Sequence, residues 1–567
     1  MKMKKEKSAG LITFALSWVG RKNKKFLTKA SKDCARAEEN TLRGILEYAK
    51  DSEWGKAHNF SKILSARTSD ELYALWRENV PVQDYEDLRP FIERHKNGEE
   101  NILFPGKPMM YATTSGTTKE PKWIPITSMY YDNIFSKMSK VWLYNFIEHR
   151  PKVFHGKIVS IVGKAVEGYA PDGTPCGSVS GRTWVDCPDF IKGGYSAPAE
   201  VFAIQDYTAR YYTLMRTGIE QNVTLLIAAN PSTIIELQKN VDEFYDDYVT
   251  DIENGTLNSK MNIEPELREV LEKNYKPNPK RADELRRLKA KYGRVLPKHY
   301  WPNLQVLTTW KCGNTRVYME RFNYFFPEGM LYQEFSYFSS ECRAGLVMNG
   351  DDDNTVLFAH MHFFEFTDAD DMENPNPHFY RLHELEKGKR YLVYVTTYAG
   401  LYRYNMNDMV ECTGYYGTIP MIQFIQKVNG IVSMTGEKLH EKQFIDAVQE
   451  ASRQTGLAAQ FFVGFADLQD SVYHMYFEFE KRDITQAQCN DFTAKVDEYL
   501  KKENMEYAAK RDSFRVKAPV GHILVRNAFE KYKEEKLKDG GRDGAQFKML
   551  LLMQDDAKHE IFKKLTE

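Results

Sequence analysis

The sequence predicts an α/β protein built as a large N-terminal unit followed by a smaller C-terminal one. Three observations predict it. Short β-rich runs recur along the chain, helical stretches separate them, and the same alternation starts afresh beyond residue 427. At 567 residues and 42% apolar content the chain can bury a sizeable core and has the length of more than one domain.

The opening, MKMKKEKSAGLITFALSWVG, imitates a secretion signal, with lysines ahead of an apolar stretch. Arg21, Lys22, Lys24 and Lys25 follow at once without a small-residue cleavage pattern, so a helix packed on the body is expected. From Lys24 to Lys50 the pattern stays helical, with Leu42, Ile45, Leu46 and Ala49 on one stripe. Strands are expected over 108–114, 157–162, 222–229, 304–309 and 391–397. Gly430 and Gly436 then bracket a short segment leading into a helix over 439–451. Strands near Phe461 and over 472–479, a helix carrying Phe492, Val496 and Leu500, a strand near Phe514 and a closing helix complete the smaller unit. The domains are therefore drawn as 1–427 and 428–567.

Lys+Arg of 78 against Asp+Glu of 79 leave a formal net charge of -1, so no global field steers the chain toward nucleic acid or an anionic membrane. The basic stretch 275–293 lacks an aromatic ladder and interleaves Asp283 and Glu284, which fits a solvated helix; no nucleic-acid partner is expected. No run reaches membrane-spanning length. Seven widely spaced cysteines form no C-x-x-C pair, as for reduced thiols in a cytoplasmic protein. His360 and His362 alternate toward one face of a strand but lack a third ligand, and Asp351 to Asp353 fit a hairpin tip. The aromatic segments 206–212 and 331–338 fit either core or the wall of a substrate pocket.

The most informative stretch is YATTSGTTKEPKWIPIT, residues 111–127. Gly116 can take backbone angles denied to other residues, so neighbouring N–H groups can converge on an anion, with hydroxyls from Thr114, Ser115, Thr117 and Thr118 and charge from Lys119 and Lys122. The P-loop pattern G-x-x-x-x-G-K-[ST] is absent. On composition alone an ordinary polar turn fits equally well.

TSGTT followed by K-x-I-P resembles the phosphate loop of adenylate-forming enzymes. In this form it resembles the plant auxin-responsive acyl-acid amido synthetases, the Gretchen Hagen three family, with its bacterial relatives, among which this chain would fall. VPVQDYEDLRPFIE (80–93) and GEENILFPGKP (98–108) resemble the same family. So does YFSSECRAGL (337–346), in which the resemblance assigns adenine and α-phosphate contact to Tyr337, Ser339 and Ser340, and Mg2+ to Glu341. A carboxylate is a hard oxygen ligand suited to that ion, and a tyrosine offers a flat face to a base. In GLYRYNMNDMVECTGYYGTIPMIQFIQKVNG (400–430), Asp408 matches an aspartate that accepts hydrogen bonds from ribose hydroxyls. Asn405 and Asn407 stand where the family has a basic residue and a glycine, and Lys427 where it has an arginine. GEKLHE (436–441) nominates Lys438 as a phosphate or reaction-centre contact. GRDGAQFKMLLL (541–552) nominates Lys548, although Leu550 and Leu551 replace the family's Pro-Arg.

The resemblance implies a large domain of the firefly-luciferase-like, adenylate-forming type and a small mobile one. It further implies ATP and Mg2+, a carboxylic acid converted to acyl-AMP with release of pyrophosphate, and acyl transfer to an amine, an amino acid by family analogy. An acyl-CoA ligase shares the first half-reaction. A nucleotide-binding protein that has lost catalysis is the alternative the four replaced residues keep open.

Overall fold

A computed structural model describes residues 2–114, 122–312, 319–371, 374, 376–428, 431–528, 531–532 and 551–566. They divide into two compact units, one of residues 1–113 with 122–426 and one of residues 114–121 with 427–567.

In the larger unit a long helix, Lys2–Ala30, runs against Ser136–His149, where Arg21 Nε donates to Tyr144 Oη at 2.9 Å. The helical pattern read through Lys24 to Lys50 is interrupted at 31–33. Asp33 caps a second helix, Cys34–Ala49, by accepting from Arg36 N. Leu42, Ile45, Leu46 and Ala49 are all fully buried on it.

The centre of this unit is a parallel sheet ordered Lys157–Ser160, Val223–Ile227, Val306–Thr309, Leu331–Glu334. Leu226 and Leu307 enter one hydrophobic cluster; Leu225, Val306 and Leu331 enter another. Strands covered on both faces tend toward apolar runs, which is why the first three stood out in the sequence, whereas Leu331–Glu334 lay in a stretch read only for its aromatics. Beside it, Met110–Thr114 and Lys122–Ile126 belong to a four-stranded sheet in which Tyr111 and Ala112 pair in parallel with Cys176 and Gly177. A seven-stranded sheet comes next, in which Arg390–Thr396 pairs antiparallel with Phe363–Asp368 on one side and Tyr404–Tyr416 on the other.

Several details differ from the sequence-based expectation. His360 and His362 lie in a turn between Thr355–Leu357 and Phe363–Asp368, not on a strand. His362 Nε2 donates to Arg343 O at 2.9 Å, and burial lowers both imidazoles to about 4, which keeps them neutral. Asp351 to Asp353 do sit between antiparallel strands, with Asp353 paired to Lys311. The segment 206–212 enters the helix Tyr207–Glu220, where buried Tyr212 donates to Asp251 Oδ2 at 2.6 Å, so these aromatics are core. The basic stretch forms Pro279–Tyr292, with Ala282 and Leu285 buried and Arg286 paired to Glu253. All seven cysteines are free thiols, and among the described residues no helix is long and apolar enough to cross a membrane.

The smaller unit carries a mixed sheet ordered Val520–Ile523, Val472–Phe479, Ala459–Asp467, Leu552–Met553. Leu439–His440 is a short strand, and the helix begins only at Glu441, running to Thr455. Phe514 is not in a strand. It comes after the helix Met505–Asp512 in a left-handed turn, φ 59°.

Buried polar groups pin these elements. Glu365, 1% exposed, accepts from Trp76 Nε1 (3.1 Å), Arg77 Nε (3.4 Å) and Arg403 Nε (2.8 Å). Removing one partner of a buried pair leaves an uncompensated charge, at about 3–5 kcal/mol. Glu365→Gln is therefore expected to lower unfolding free energy by about 3 kcal/mol. Chemical denaturation checks this, and a loss below about 1 kcal/mol would show the cluster is not under that constraint.

His95 is held as a neutral ring, its Nε2 accepting from Leu103 N (3.2 Å) and its Nδ1 donating to Glu99 O (3.0 Å), while burial lowers it to about 4. Because the folded value lies below the unfolded one of about 6.5, its contribution is complete above that pH and is lost as pH falls toward 4, by at most about 1.4 kcal/mol per unit. Wild type is expected to lose stability between these values that His95→Gln does not lose, as read by denaturant titrations across the range. Parallel pH profiles for the two would overturn the assignment.

Candidate active site

In parallel sheets covered by helices, ligands gather beyond the carboxyl ends of the strands. Leu331–Glu334 delivers the SSE motif to that position. Bridge pairing of Phe338 with Arg343, Ser339 N donating to Cys342 O (2.9 Å) and Ala344 N donating to Tyr337 O (3.1 Å) fold 337–344 into a tight hairpin turn. Its tip carries Ser339, Ser340 and Glu341; Glu341 N donates to Ser339 Oγ at 3.2 Å. The two serines are half-buried and Glu341 is buried.

Asp408 reaches the same place from the strand Tyr404–Tyr416. Register against Arg390–Thr396 runs Leu392 to Met409 and Tyr394 to Asn405, which leaves Val393 opposite Met406, Asn407 and Asp408. Such a bulge bends a strand and redirects its side chains. Asn407 lies within it at φ 52°, in the left-handed region that favours glycine and that asparagine tolerates best among the others. The substitution read from the sequence therefore keeps a glycine-type backbone. Asn405 Oδ1 supports the bend by accepting from Asn407 N at 2.9 Å.

Tyr337 Oη donates to Asp408 Oδ2 at 2.7 Å, joining two motifs 71 residues apart. Burial pushes the Tyr337 hydroxyl well above the ordinary tyrosine range, with the negative charges of Asp408 and Glu341 adding to it. Tyr404, raised first by burial, also feels Glu341 and Asp408. Tyr337, Glu341, Tyr404 and Asp408 thus form one neighbourhood. Lys122, at the C-terminal foot of the 111–127 stretch, donates to Tyr404 Oη at 3.3 Å and lies over the Tyr85 ring.

The remaining predicted residues divide. Thr114 ends the strand Met110–Thr114, while Ser115, Gly116, Thr117, Thr118 and Lys119 lie outside the described residues, as does Lys548. Lys427 closes the strand Ile419–Lys427 and falls in the smaller unit. Lys438, φ 47°, is half-buried in that unit and its charge lowers Glu506, after burial has acted in the opposite direction. In the GEKLHE motif the buried hub is Glu437, which accepts from Met434 N, Thr435 N and Tyr473 Oη.

Among the described residues no three His, Cys, Asp or Glu side chains gather as a metal cage. Glu341 alone fits Mg2+ held by one carboxylate together with substrate phosphates. Sequence reasoning missed Tyr404 and Glu334. The latter is buried at the end of its strand, accepts from Lys311 N and Cys312 N, and is raised to about 7 chiefly by burial. It also gave no role to Arg343, which burial lowers to about 10. A glutamate closing the short strand Leu331–Glu334 was the only available signal for Glu334, and burial of an arginine is invisible in one sequence.

Asn407→Gly is expected to hold stability within about 1 kcal/mol of wild type, whereas Asn407→Val, β-branched at a positive φ, costs about 1–2 kcal/mol. Denaturation midpoints of the two variants check this; equal losses would remove the left-handed backbone as the reason for asparagine.

Comparison with known proteins matches residues 23–331 to the GH3 family N-terminal domain, 355–427 to the GH3 family central domain and 442–557 to the GH3 family C-terminal domain. The chain is 26% identical over 457 residues to indole-3-acetic acid-amido synthetase GH3.3 of Arabidopsis thaliana, covering 76% of this chain and 74% of that protein. It is 24% identical over 447 residues to jasmonoyl--L-amino acid synthetase JAR4 of Nicotiana attenuata, covering 75% and 74%. Among solved structures it resembles GH3.15 acyl acid amido synthetase with a TM-score of 0.62 at 20% identity, covering 95% of each chain.

Proposed function

The chain belongs to the GH3 family, and on that premise we propose that it is an ATP-dependent acyl-acid amido synthetase acting on a small carboxylic acid and an amino acid. One observation carries the reading at the level of chemistry: the Tyr337–Asp408 hydrogen bond, which joins the two motifs assigned to a nucleotide beside the carboxyl end of a parallel sheet. The distance from the plant relatives, about a quarter identity, suits a bacterial branch of the family.

A carboxylate oxygen attacks the α-phosphorus of ATP, forming an acyl–phosphate bond as the bond to pyrophosphate breaks. The neutral amine then attacks the acyl carbon; AMP departs with the bonding electrons and the amine gives up a proton to solvent. Asp408 grips ribose hydroxyls, its carboxylate supplying strong acceptors for them. Thr114, Ser115, Gly116, Thr117 and Thr118 would cradle phosphate, with Tyr337, Ser339 and Ser340 near the base and α-phosphate. Glu341 would hold Mg2+, which supplies neutralisation of phosphate charge when bound. Lys438 and Lys548, from a C-terminal domain drawn at 428–567, and Lys427 at its junction complete the assignment by contacting nucleotide or reacting centre.

Pyrophosphate release with a panel of carboxylic acids tests this. Asp408→Ala and Ser115→Ala are expected to lose at least about tenfold in kcat/KM, the worth of a hydrogen bond to a charged group. Equal turnover in all three proteins would overturn the site assignment. A thioester formed with coenzyme A, in place of an amide with amino acids, would overturn the acceptor.

A further inference from the structure

Arg343 returns from the Glu341 hairpin into an unusual setting. It is 4% exposed, and its guanidinium carbon lies 5.1, 5.2 and 5.0 Å from the ring centroids of Phe135, Trp142 and Phe338. Its backbone is fixed on both sides, N donating to Tyr130 Oη (3.0 Å) and O accepting from His362 Nε2. Among the described residues the side chain makes a single hydrogen bond, from Nη1 to Ser139 Oγ at 2.7 Å. Its Nε is buried without a partner, and among the described residues no carboxylate accepts from it. The three ring faces offset part of the cost of burying this cation, and an anion would offset the rest.

Independent observations point to a ligand at the same place. Trp142 Nε1 is also buried without a partner. So are Thr308 Oγ1 and both polar atoms of the Gln333 side chain, which oppose one another in register. Just past the end of the strand Leu331–Glu334 the Phe335 ring lies 5.4 Å from Trp142 and 4.7 Å from Phe338. Phe135 ends a π-helical turn, Tyr131–Phe135, a distortion frequent at functional sites. The cage is not sealed, because Phe135, Ser139 and Phe338 are only half-buried.

We propose that Arg343 binds a second anionic group on the acyl substrate, which makes dicarboxylic acids the favoured class. This rests on the ligase reading above. The carboxylate undergoing adenylation is a poor partner for Arg343. A guanidinium clamped on it would weaken it as a nucleophile, and the charge it neutralises disappears when the anhydride forms. A distal carboxylate keeps its charge through both half-reactions and leaves Arg343 compensated throughout.

ATP–pyrophosphate exchange by the full chain without any amine, using mono- and dicarboxylic acids of matched length, tests the proposal and excludes the amino acid as the source of the anion. Wild type is expected to favour the diacid by roughly 30-fold or more in kcat/KM, the scale on which a buried charge pair is lost. Arg343→Met collapses that ratio through KM for the diacid, and Arg343→Lys retains part of it. Thermal melts register whether each variant folds, and the wild-type ratio decides even where Arg343→Met does not. A wild-type ratio near one, or a ratio unchanged in folded Arg343→Met, would overturn this proposal alone. No exchange with any acid would overturn the ligase reading and this proposal together.

Discussion

The Glu365 carboxylate collects donors from two segments that are remote in sequence: Trp76 and Arg77 on the helix Ser69–Asn79, and Arg403 at the approach to the strand Tyr404–Tyr416. Arg403 also donates to Val80 O at 2.9 Å and lies over the Phe379 ring. The arginine of the GLYRY motif is thus a structural bolt. With a positive φ of its own, 46°, it could not be placed there by local preference; the network holds it. The strand beyond Arg403 inherits its position from this anchorage.

A few residues further along that strand lies the bulge. In regular register Asp408 would alternate with its neighbours on a flat ladder. With Val393 facing three residues, the strand instead bends and brings the aspartate to Tyr337. Three non-glycine residues at positive φ lie in or beside the site, Ser336, Arg403 and Asn407. For Ser336 and Arg403 this costs of order 1–3 kcal/mol, less for Asn407, and it persists only where surrounding contacts over-determine it. Here those contacts are the Glu365 network, the Asn405 side chain on Asn407 N and the hydroxyl of Ser336 accepting from Val347 N. Strain gathers where the two motifs meet and is offset by bonds outside it.

The parts of the fold legible in the sequence were those fixed locally. Val223–Ile227 and Val306–Thr309 announced themselves because strands buried on both faces gather apolar and β-branched residues in one short run. The stripe through Leu42 and Ile45 was legible because its period is that of a helix. The misreadings share the opposite cause. A three-residue break at 31–33 and a two-residue strand at Leu439–His440 are shorter than any periodicity can resolve. The His360 and His362 alternation matched a strand by coincidence of spacing, while the backbone there turns to deliver His362 to Arg343 O. Asp408, Tyr337 and Glu341 were nominated by motif, yet their association depends on a hydrogen bond that no window of sequence contains.

Arg343 shows why such pairing matters beyond the nucleotide. It stands two residues after Glu341 on a turn closed by the Phe338–Arg343 bridge and by Ser339 N on Cys342 O. A turn this short cannot shift one of these residues and leave the other in place. An anion bound as proposed at the guanidinium would therefore lie against the same turn that carries Glu341 and follows Tyr337. A ligand can shift a conformation only by its differential affinity for the two arrangements. A buried, caged cation offers a large differential, since its cost without an anion is high and falls when one arrives. The hairpin thus places the aromatic cage around Arg343 and the carboxylate of Glu341 on one short turn, built from residues that a motif description treats as one string.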